Sequence, residues 1–250
     1  MKGRMAATAL LACALAGGGS TAALADGENV ETTVKIKKAS KITKKKPGKA
    51  TLSWRMEVSK PDGSRPDNIH QGELTLPRGV SADAKGLETC SLDALQRNDD
   101  KACPKGSVVG RSDASIHTPE VRAEEFAATG VIFFTGMRGK NPTFAVYYTL
   151  TEIQTLHSVT QLMVTRKGKT SKLHMDQPPV PVPGLPDSTP KLIEFEFTKK
   201  ATPFRLSESC ARGSKAPAKY GFFPTSPASH DNDVFHTRIG GALKVSAKAC

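Results

Sequence analysis

The sequence has few of the features that mark an enzyme or a membrane-spanning protein. Its 250 residues include one Trp and three Tyr. It contains no Gly-x-Ser-x-Gly nucleophile turn, no His-Glu-x-x-His helix and no Gly-rich phosphate-binding loop. Its longest apolar run, residues 5–16, is well short of the roughly 20 residues that a membrane-spanning helix needs. The sequence therefore predicts no transmembrane helix and no cofactor, and it favours a non-enzymatic protein.

The short apolar run instead fits a secretory signal peptide over residues 1–25. Two basic residues precede the run, and Ala23-Leu-Ala25 supplies the small–x–small site that signal peptidase cleaves. Cleavage after Ala25 makes Asp26 the first residue of the mature chain. The sequence therefore predicts a secreted, extracellular or cell-envelope protein.

A lipoprotein is the alternative interpretation of the same segment. Leu10-Leu-Ala-Cys13 resembles a bacterial lipobox, in which the cysteine is lipidated and becomes the first residue. The short distance between Arg4 and Cys13, and Leu11 at its position, fit that motif poorly. Cleavage after Ala25 is therefore the preferred prediction.

Four of the five cysteines follow the predicted cleavage site. An even number of cysteines in an exported chain predicts disulfides, and their spacings fit no zinc site built from two close Cys pairs. Four cysteines allow three pairings, of which sequence proximity favours Cys90–Cys103 and Cys210–Cys250. Loop entropy assigns about 3 kcal/mol to the first bridge and about 4 kcal/mol to the second.

Alternating apolar residues and frequent turns predict an all-β fold. Leu52, Trp54, Met56 and Val58 occupy even positions and so share one face of a strand. The chain carries 21 Gly and 17 Pro, many in turn-like pairs that separate short strands. We expect 10–12 short strands in a β-sandwich that is jelly-roll-like or immunoglobulin-like. At most one or two short helices are expected, at 91–97 and, more weakly, at 123–127.

The expected domain organisation is a signal peptide at 1–25, a basic segment with the first strand at 26–48, and a β-sandwich domain at 49–250. Six prolines fall between 176 and 190, which predicts an extended crossing and allows a second sub-lobe after it. Residues 211–233 are predicted to form a long loop. Its aromatic residues, Tyr220, Phe222 and Phe223, are expected to pack onto the sheet, with an exposed sugar-binding platform as the alternative.

Positive charge is the most distinctive local feature, in a chain whose net charge is +12. Eight lysines crowd into fifteen positions: Lys35, Lys37, Lys38, Lys41, Lys44, Lys45, Lys46 and Lys49. Such a patch attracts polyanions. The expected partners are an anionic cell-wall polymer, acidic polysaccharide or anionic lipid headgroups, and nucleic acid is not expected. The alternative is a solvated edge strand whose lysines prevent sheet-to-sheet aggregation.

Scattered motifs resemble a known group of proteins. They are Lys44-Lys-Lys-Pro47, Leu74-Thr-Leu-Pro77 with Gly79, then Cys90, then Ala102-Cys-Pro-Lys-Gly-Ser-Val-Val-Gly110. This order resembles a family of uncharacterised secreted proteins from high-GC Gram-positive bacteria, with a leucine–proline–x–glycine strand end and a Cys-Pro-x-x-Ser-x-x-Gly block. The resemblance implies secretion, β structure and a Cys90–Cys103 bridge, and it transfers no catalytic residue.

Two further groups of polar residues are weak candidates for a site. A divalent cation could bind at His230, Asp231, Asp233 and His236, although an ordinary surface turn is the favoured interpretation. Glu194 and Glu196 could be the carboxylate pair of a sugar hydrolase, but their alternation with apolar residues predicts the outer face of a strand. We therefore expect a non-enzymatic binding or structural protein, with a secreted polysaccharide hydrolase as the alternative.

Overall fold

The computed structural model describes residues 20–23, 28–42, 47–64, 66–117, 125–150, 156–177, 189–198, 201–207, 214–223 and 243–248. Within these residues, one short helix, α1 (Leu92–Gln96), and two single turns of 3-10 helix, Asp100–Ala102 and Lys105–Ser107, lie among the strands. The strands are β1 (Ser20–Ala23), β2 (Asn29–Lys38), β3 (Gly48–Ser59), β4 (Asn68–Thr75), β5 (Val80–Ala82), β6 (Val108–His117), β7 (Phe126–Arg138), β8 (Asn141–Leu150), β9 (Leu156–Lys167), β10 (Thr170–Asp176), β11 (Thr189–Phe197), β12 (Phe204–Leu206), β13 (Lys215–Phe223) and β14 (Leu243–Lys248). The all-β prediction is confirmed.

Twelve of these strands form one continuous antiparallel sheet in the order β1-β2-β3-β11-β6-β7-β8-β9-β10-β4-β13-β14. The short strands β12 and β5 extend it beside the start of β3. The sheet folds over on itself, because β14 at one edge contacts β1 and β2 at the other. Its two halves therefore face each other across a shared interior, and the strands on both sides of the proline-rich crossing belong to the same sheet.

The inner face of the sheet buries one hydrophobic core. In β3 the even positions point inward as predicted, and Trp54 is completely buried. In β11 the inward positions are Ile193, Phe195 and Phe197. Phe195 packs at 5.9 Å from Trp54, measured between ring centroids. The period-2 pattern that was visible in the sequence thus determines which face of each strand is buried.

A close approach between the two halves of the sheet requires glycine at position 72 in β4. A Cβ atom there would lie 2.9 Å from Cη2 of Trp54 and 3.2 Å from Cε of Met175. The side chain of Tyr220, from β13, also reaches this region and packs 6.2 Å from Trp54, centroid to centroid. The largest side chain of the core is therefore enclosed by β4, β10 and β13, which lie opposite β3.

A loop with a disulfide covers part of the outer face. The structure contains the predicted Cys90–Cys103 bridge, and α1 falls where the sequence predicted a helical turn. Leu95 of α1 and Cys90 form a second small cluster with Phe133 and Tyr147, which point outward from β7 and β8. This explains why β8 is apolar on both of its faces.

Two expectations about individual elements were wrong. The segment predicted as a long loop contains β13, in which Ala216, Ala218, Tyr220 and Phe222 are buried. Small alanines and the intervening polar residues had concealed this alternation. The weak helix prediction at 123–127 fails because β7 begins at Phe126.

The first strand, β1, lies inside the predicted signal peptide. Its four residues pair antiparallel with β2, Ser20 opposite Thr32 and Ala23 opposite Asn29. Glu28 is the first residue whose side chain the structure describes, and it is buried. In the part of the chain that the structure describes, no helix has the length and hydropathy needed to cross a membrane.

Candidate functional site

The described lysines of the predicted patch lie along β2 and around the hairpin that joins β2 to β3. Lys35 and Lys37 alternate with the buried Val34 and Ile36 and so point outward. Lys38, Lys41 and Lys49 are exposed as well. No acidic residue occurs between positions 32 and 56. The hairpin therefore carries clustered positive charge and no acidic residue of its own.

The base of this hairpin is closed by hydrogen bonds. The backbone N–H groups of Ala39 and Ser40 both donate to the carbonyl oxygen of Lys49, at 2.8 and 3.2 Å. The N–H of Lys49 donates in turn to Oγ of Ser40 at 2.6 Å. A Cβ atom on Gly48 would lie 2.7 Å from the carbonyl oxygen of Ser40, so glycine permits this closure. The described lysines thus lie on a hairpin whose base is closed by hydrogen bonds.

Several predicted site residues lie outside the described residues. They are Lys44, Lys45 and Lys46 of the patch, Cys210 and Cys250 of the second bridge, Cys13 of the lipobox, and His230, Asp231, Asp233 and His236 of the weak metal site. Their roles stay predictions. Among the residues that the structure does describe, no three His, Cys, Asp or Glu side chains are grouped so as to hold a metal ion.

Glu194 and Glu196 lie on the outer face of β11, as their alternation predicted. Glu196 accepts hydrogen bonds from the Arg111 guanidinium, with an Nη2–Oε2 distance of 2.7 Å. Glu194 accepts from Oγ of Ser53 at 3.1 Å and lies 3.8 Å from the Arg55 guanidinium. Both carboxylates therefore belong to a ladder of cross-strand pairs on this face.

A cleft that the sequence did not reveal lies on the outer face of β9, β10, β4 and β13. Its volume is about 770 Å³, and Leu92 of α1 and Met137 of β7 form part of its lining. The strand register places Glu73 opposite both His174 and Lys219 across its floor. These residues come from three strands that are distant in sequence, and none belongs to a recognisable motif.

Glu73, on the floor of the cleft, is paired with two neighbouring side chains. Lys172 donates to Oε1 of Glu73 at 2.8 Å, and Nδ1 of His174 lies 3.7 Å from Oε2 of the same carboxylate. Burial alone would raise the pKa of Glu73, but the hydrogen bond and charge of Lys172 lower it below its ordinary value. Burial lowers the pKa of His174, which Glu73 only partly opposes. At neutral pH the cleft therefore holds a carboxylate and a neutral imidazole.

A general acid for sugar hydrolysis needs a carboxyl group whose pKa is raised. Glu73 has the opposite shift, and Glu194 and Glu196 are held by arginines. The Glu73 carboxyl of the cleft thus lacks the raised pKa that this role needs. The β2–β3 hairpin carries a cluster of positive charges.

Comparison with known proteins does not identify a relative with this arrangement of residues. No protein-family model, curated protein or solved structure matches the chain. The interpretation of the surface therefore rests on its own residues.

Proposed function

We propose that this chain is a non-enzymatic binding protein of the extracellular space or cell envelope, and that it attaches to an anionic polymer through the lysines of the β2–β3 hairpin. The observation that carries this proposal is the exposed group Lys37, Lys38, Lys41 and Lys49 on a hairpin without acidic residues. Clustered lysines bind polyanions favourably because their binding releases the counterions that were held by the polyanion.

The arrangement differs from an ordinary solvated edge. Lysines that protect an exposed edge act by charging it, and β1 pairs only with Asn29–Thr32 of β2, so among the described strands the lysine-bearing half of β2 is paired with β3 alone. At Lys37 and Lys38 the partner on one side is β3, and the chain then turns into the lysine-rich loop. Aggregation control alone does not require charge to continue through the turn to Lys41 and Lys49.

A retention experiment tests this proposal. The chain from Asp26 is passed over immobilised polygalacturonate and over immobilised polyphosphate, and a salt gradient elutes it. We expect retention at low salt, and a marked loss of retention in Lys38→Gln/Lys41→Gln. The matched control is Arg97→Gln/Lys101→Gln, which removes the same charge from the disulfide loop. If the two double variants elute together with the wild type, the hairpin is not the binding surface.

Export is the second part of the proposal, and it is tested separately. The mass of the protein secreted by an expressing bacterial host should correspond to a chain beginning at Asp26. A mass that corresponds to a lipidated Cys13 would instead show a tethered lipoprotein. The resemblance to secreted proteins of high-GC Gram-positive bacteria supports the export proposal and says nothing of the ligand.

A further inference from the structure

The hairpins β7–β8 and β9–β10 end in turns of the same design. Each turn contains two residues, a glycine followed by a lysine: Gly139 and Lys140 in the first, Gly168 and Lys169 in the second. The φ angles of the glycines are 63° and 61°, in the left-handed region that two-residue hairpin loops require of their first residue. Both lysines therefore stand at the apex of a tight turn, and both are exposed.

Further positive charge flanks each apex. Arg138 precedes the first turn, and Arg166 with Lys167 precedes the second, and all three are exposed. Segments 137–142 and 165–171 contain no acidic residue. Each of these two hairpin tips is thus a small basic cluster on a short, well-defined turn.

Strand direction brings these tips to the same end of the sheet as the lysine hairpin. All neighbouring strands are antiparallel. Following the order from β2 to β10, the strands β2, β7 and β9 all run toward one end, and β3, β8 and β10 all start from it. We call this the basic end, defined by Lys37, Lys38, Lys41, Lys49, Arg138, Lys140, Arg166, Lys167 and Lys169.

The three tips are separated along the sheet. With neighbouring strands about 4.8 Å apart, four strand spacings, or about 19 Å along the curved sheet, separate the β2–β3 tip from the β7–β8 tip, and two spacings, or about 10 Å, separate that tip from the β9–β10 tip. At physiological ionic strength charges are screened beyond about 8 Å. A small anion at one tip is therefore nearly insensitive to the others, whereas a long anionic chain can contact all three.

We infer that the three hairpin tips of the basic end form one extended surface that binds a linear polyanion spanning them. This inference rests on the proposed function, because it extends the same surface and specifies the form of its partner. A single headgroup or a short anionic oligomer engages one tip. A long chain engages several, and its affinity rises because the later contacts form within one complex.

A polymer fits this surface better than an anionic membrane does. Stable attachment to a bilayer combines charge with apolar side chains that enter the interface. The described tip residues include no aromatic residue, and Ile42 packs against the core. Met137 is 53% exposed, but it lines the cleft on the outer face. Polyanion binding requires only the cationic groups that these tips supply.

The test uses Lys140→Gln/Lys169→Gln, which removes one charge from each apex and leaves both glycines and the β2–β3 hairpin intact. Affinity is measured over a range of salt concentrations for long-chain polyphosphate and for tripolyphosphate. Polygalacturonate and trigalacturonate form a second pair of probes that separates phosphate from carboxylate polymers. Arg97→Gln/Lys101→Gln is again the control, and vesicles of phosphatidylglycerol with phosphatidylcholine test the membrane alternative.

We expect the wild type to bind the long chains at least about tenfold more tightly than the short ones, expressed per binding site. The apex variant should weaken long-chain binding and lower the slope of log affinity against log salt by about 1.4, or about 0.7 for each lost contact. The variant should bind the short probes through the β2–β3 hairpin as the wild type does. The control variant should retain the wild-type affinity and slope.

The outcomes separate the inference from the proposed function. If the apex variant matches the wild type while Lys38→Gln/Lys41→Gln loses binding, the extended surface is wrong and the proposed function stands. Equal per-site affinity for long and short chains also overturns the extended surface. If no polyanion binds the wild type, both fall. Binding to the vesicles without binding to either polymer overturns the polymer in favour of a membrane surface.

Discussion

Tyr220 connects three strands through its hydroxyl group inside the core. That oxygen lies 2.7 Å from Oγ1 of Thr32 and accepts a hydrogen bond from Nε1 of Trp54 at 3.1 Å. Tyr220 is almost fully buried, so water does not replace these partners. Buried polar groups that lose their partner carry an uncompensated desolvation cost. The hydroxyl therefore satisfies two groups that the core would otherwise leave unpaired.

We expect Tyr220→Phe to lower the free energy of unfolding by about 1–3 kcal/mol for each group left unpaired. Urea denaturation measures the loss. Thr32→Val/Tyr220→Phe removes both hydroxyl groups of this hydrogen bond, so neither is left unpaired by the loss of the other. The double variant should therefore lose less unfolding free energy than the sum of the losses in the two single variants. Strict additivity would show that the Thr32–Tyr220 hydrogen bond does not contribute.

The same residue makes stability depend on alkaline pH. Burial raises the pKa of Tyr220 to about 12, although its hydrogen bonds with Thr32 and Trp54 oppose the shift. The unfolded chain releases this proton at about pH 10. Between these values the folded state retains a proton that the unfolded state has lost, so stability falls as pH rises, by about 1.4 kcal/mol per pH unit.

This titration can be isolated by comparing the wild type with Tyr220→Phe. Burial also raises the pKa of Tyr148, and that contribution is common to both proteins. The stability gap between them should therefore be constant from about pH 8 to about pH 9.5 and should narrow above about pH 10. A gap that stays constant up to about pH 11 would contradict a raised pKa for Tyr220.

Sequence alternation predicted individual core residues better than it predicted polar partnerships. Trp54 and Glu194 were placed on the correct faces because period 2 depends only on neighbouring residues. The pairing of Glu73 with His174 and Lys172 could not be predicted, because it depends on β4 lying beside β10, about 100 residues away in the chain. Contacts between distant strands follow from the order of the strands in the sheet, which no local pattern contains.

At the scale of elements, the disulfide loop determines whether the outer face of β7 and β8 is covered. Cys90 is buried in the same cluster as Phe133 and Tyr147. Opening the bridge lengthens the unconstrained chain that carries α1 and weakens its attachment to the sheet. The strands beneath present aromatic side chains to this loop, so their stability is linked to the bridge.

We expect Cys90→Ala/Cys103→Ala to lower the free energy of unfolding by about 3 kcal/mol, the value that loop entropy gives for a bridge of this span. Urea denaturation with and without reductant measures it. A remaining response of the variant to reductant would report a second bridge, which is the prediction for Cys210 and Cys250. A variant as stable as the oxidised wild type would show that the bridge does not stabilise the fold.

The sequence predicted strands where large apolar residues alternate and missed them where small residues do. β3 and β11 carry Trp, Met, Ile and Phe on their inner faces, and both were predicted. β13 presents Ala216 and Ala218 before Tyr220, and β6 buries Ser112 and Ala114. Small inward residues give a weak periodic signal, yet the folded sheet needs them where its two halves approach closely.

At the scale of the whole molecule, charge is distributed by topology as well as by sequence. Three hairpins bring basic residues to one end of the sheet, while Glu28, Asp67, Glu125 and Asp176 lie near the strand ends at the other. The lysine run of the first hairpin was evident in the sequence. The two short basic turns are brought to the same end as this hairpin by the strand order. Composition alone therefore does not show that they could belong to one basic surface.

The boundary of the folded unit is another property of the whole molecule. Val30 is completely buried in the core, and Glu28, also buried, lies 3.1 Å from Nζ of Lys60. Burial alone would lower the pKa of Lys60, but its hydrogen bond with Glu28 and the charge of Asp67 raise it above its ordinary value. Both contacts lie downstream of the predicted cleavage site. A chain beginning at Asp26 would therefore retain these contacts at the start of β2 and lose its pairing with β1.

Truncation tests where the folded unit begins. A chain starting at Asp26 should fold with the stability of the full chain to within about 1 kcal/mol, because it loses the pairing of one four-residue strand with β2 and the contacts of that strand with β14, while the rest of the sheet is retained. A chain starting at Glu31 loses the burial of Val30, worth about 1.5–3 kcal/mol, and leaves Lys60 without Glu28. A chain that starts at Asp26 and carries Val30→Ala loses part of the burial of Val30 but keeps Glu28. It therefore separates the contribution of that burial from the contribution of the Glu28–Lys60 ion pair. Urea denaturation of the four chains measures these differences. If the Asp26 chain were as unstable as the Glu31 chain, β1 would be an integral strand of the fold, and cleavage after Ala25 would be incompatible with a stable mature protein.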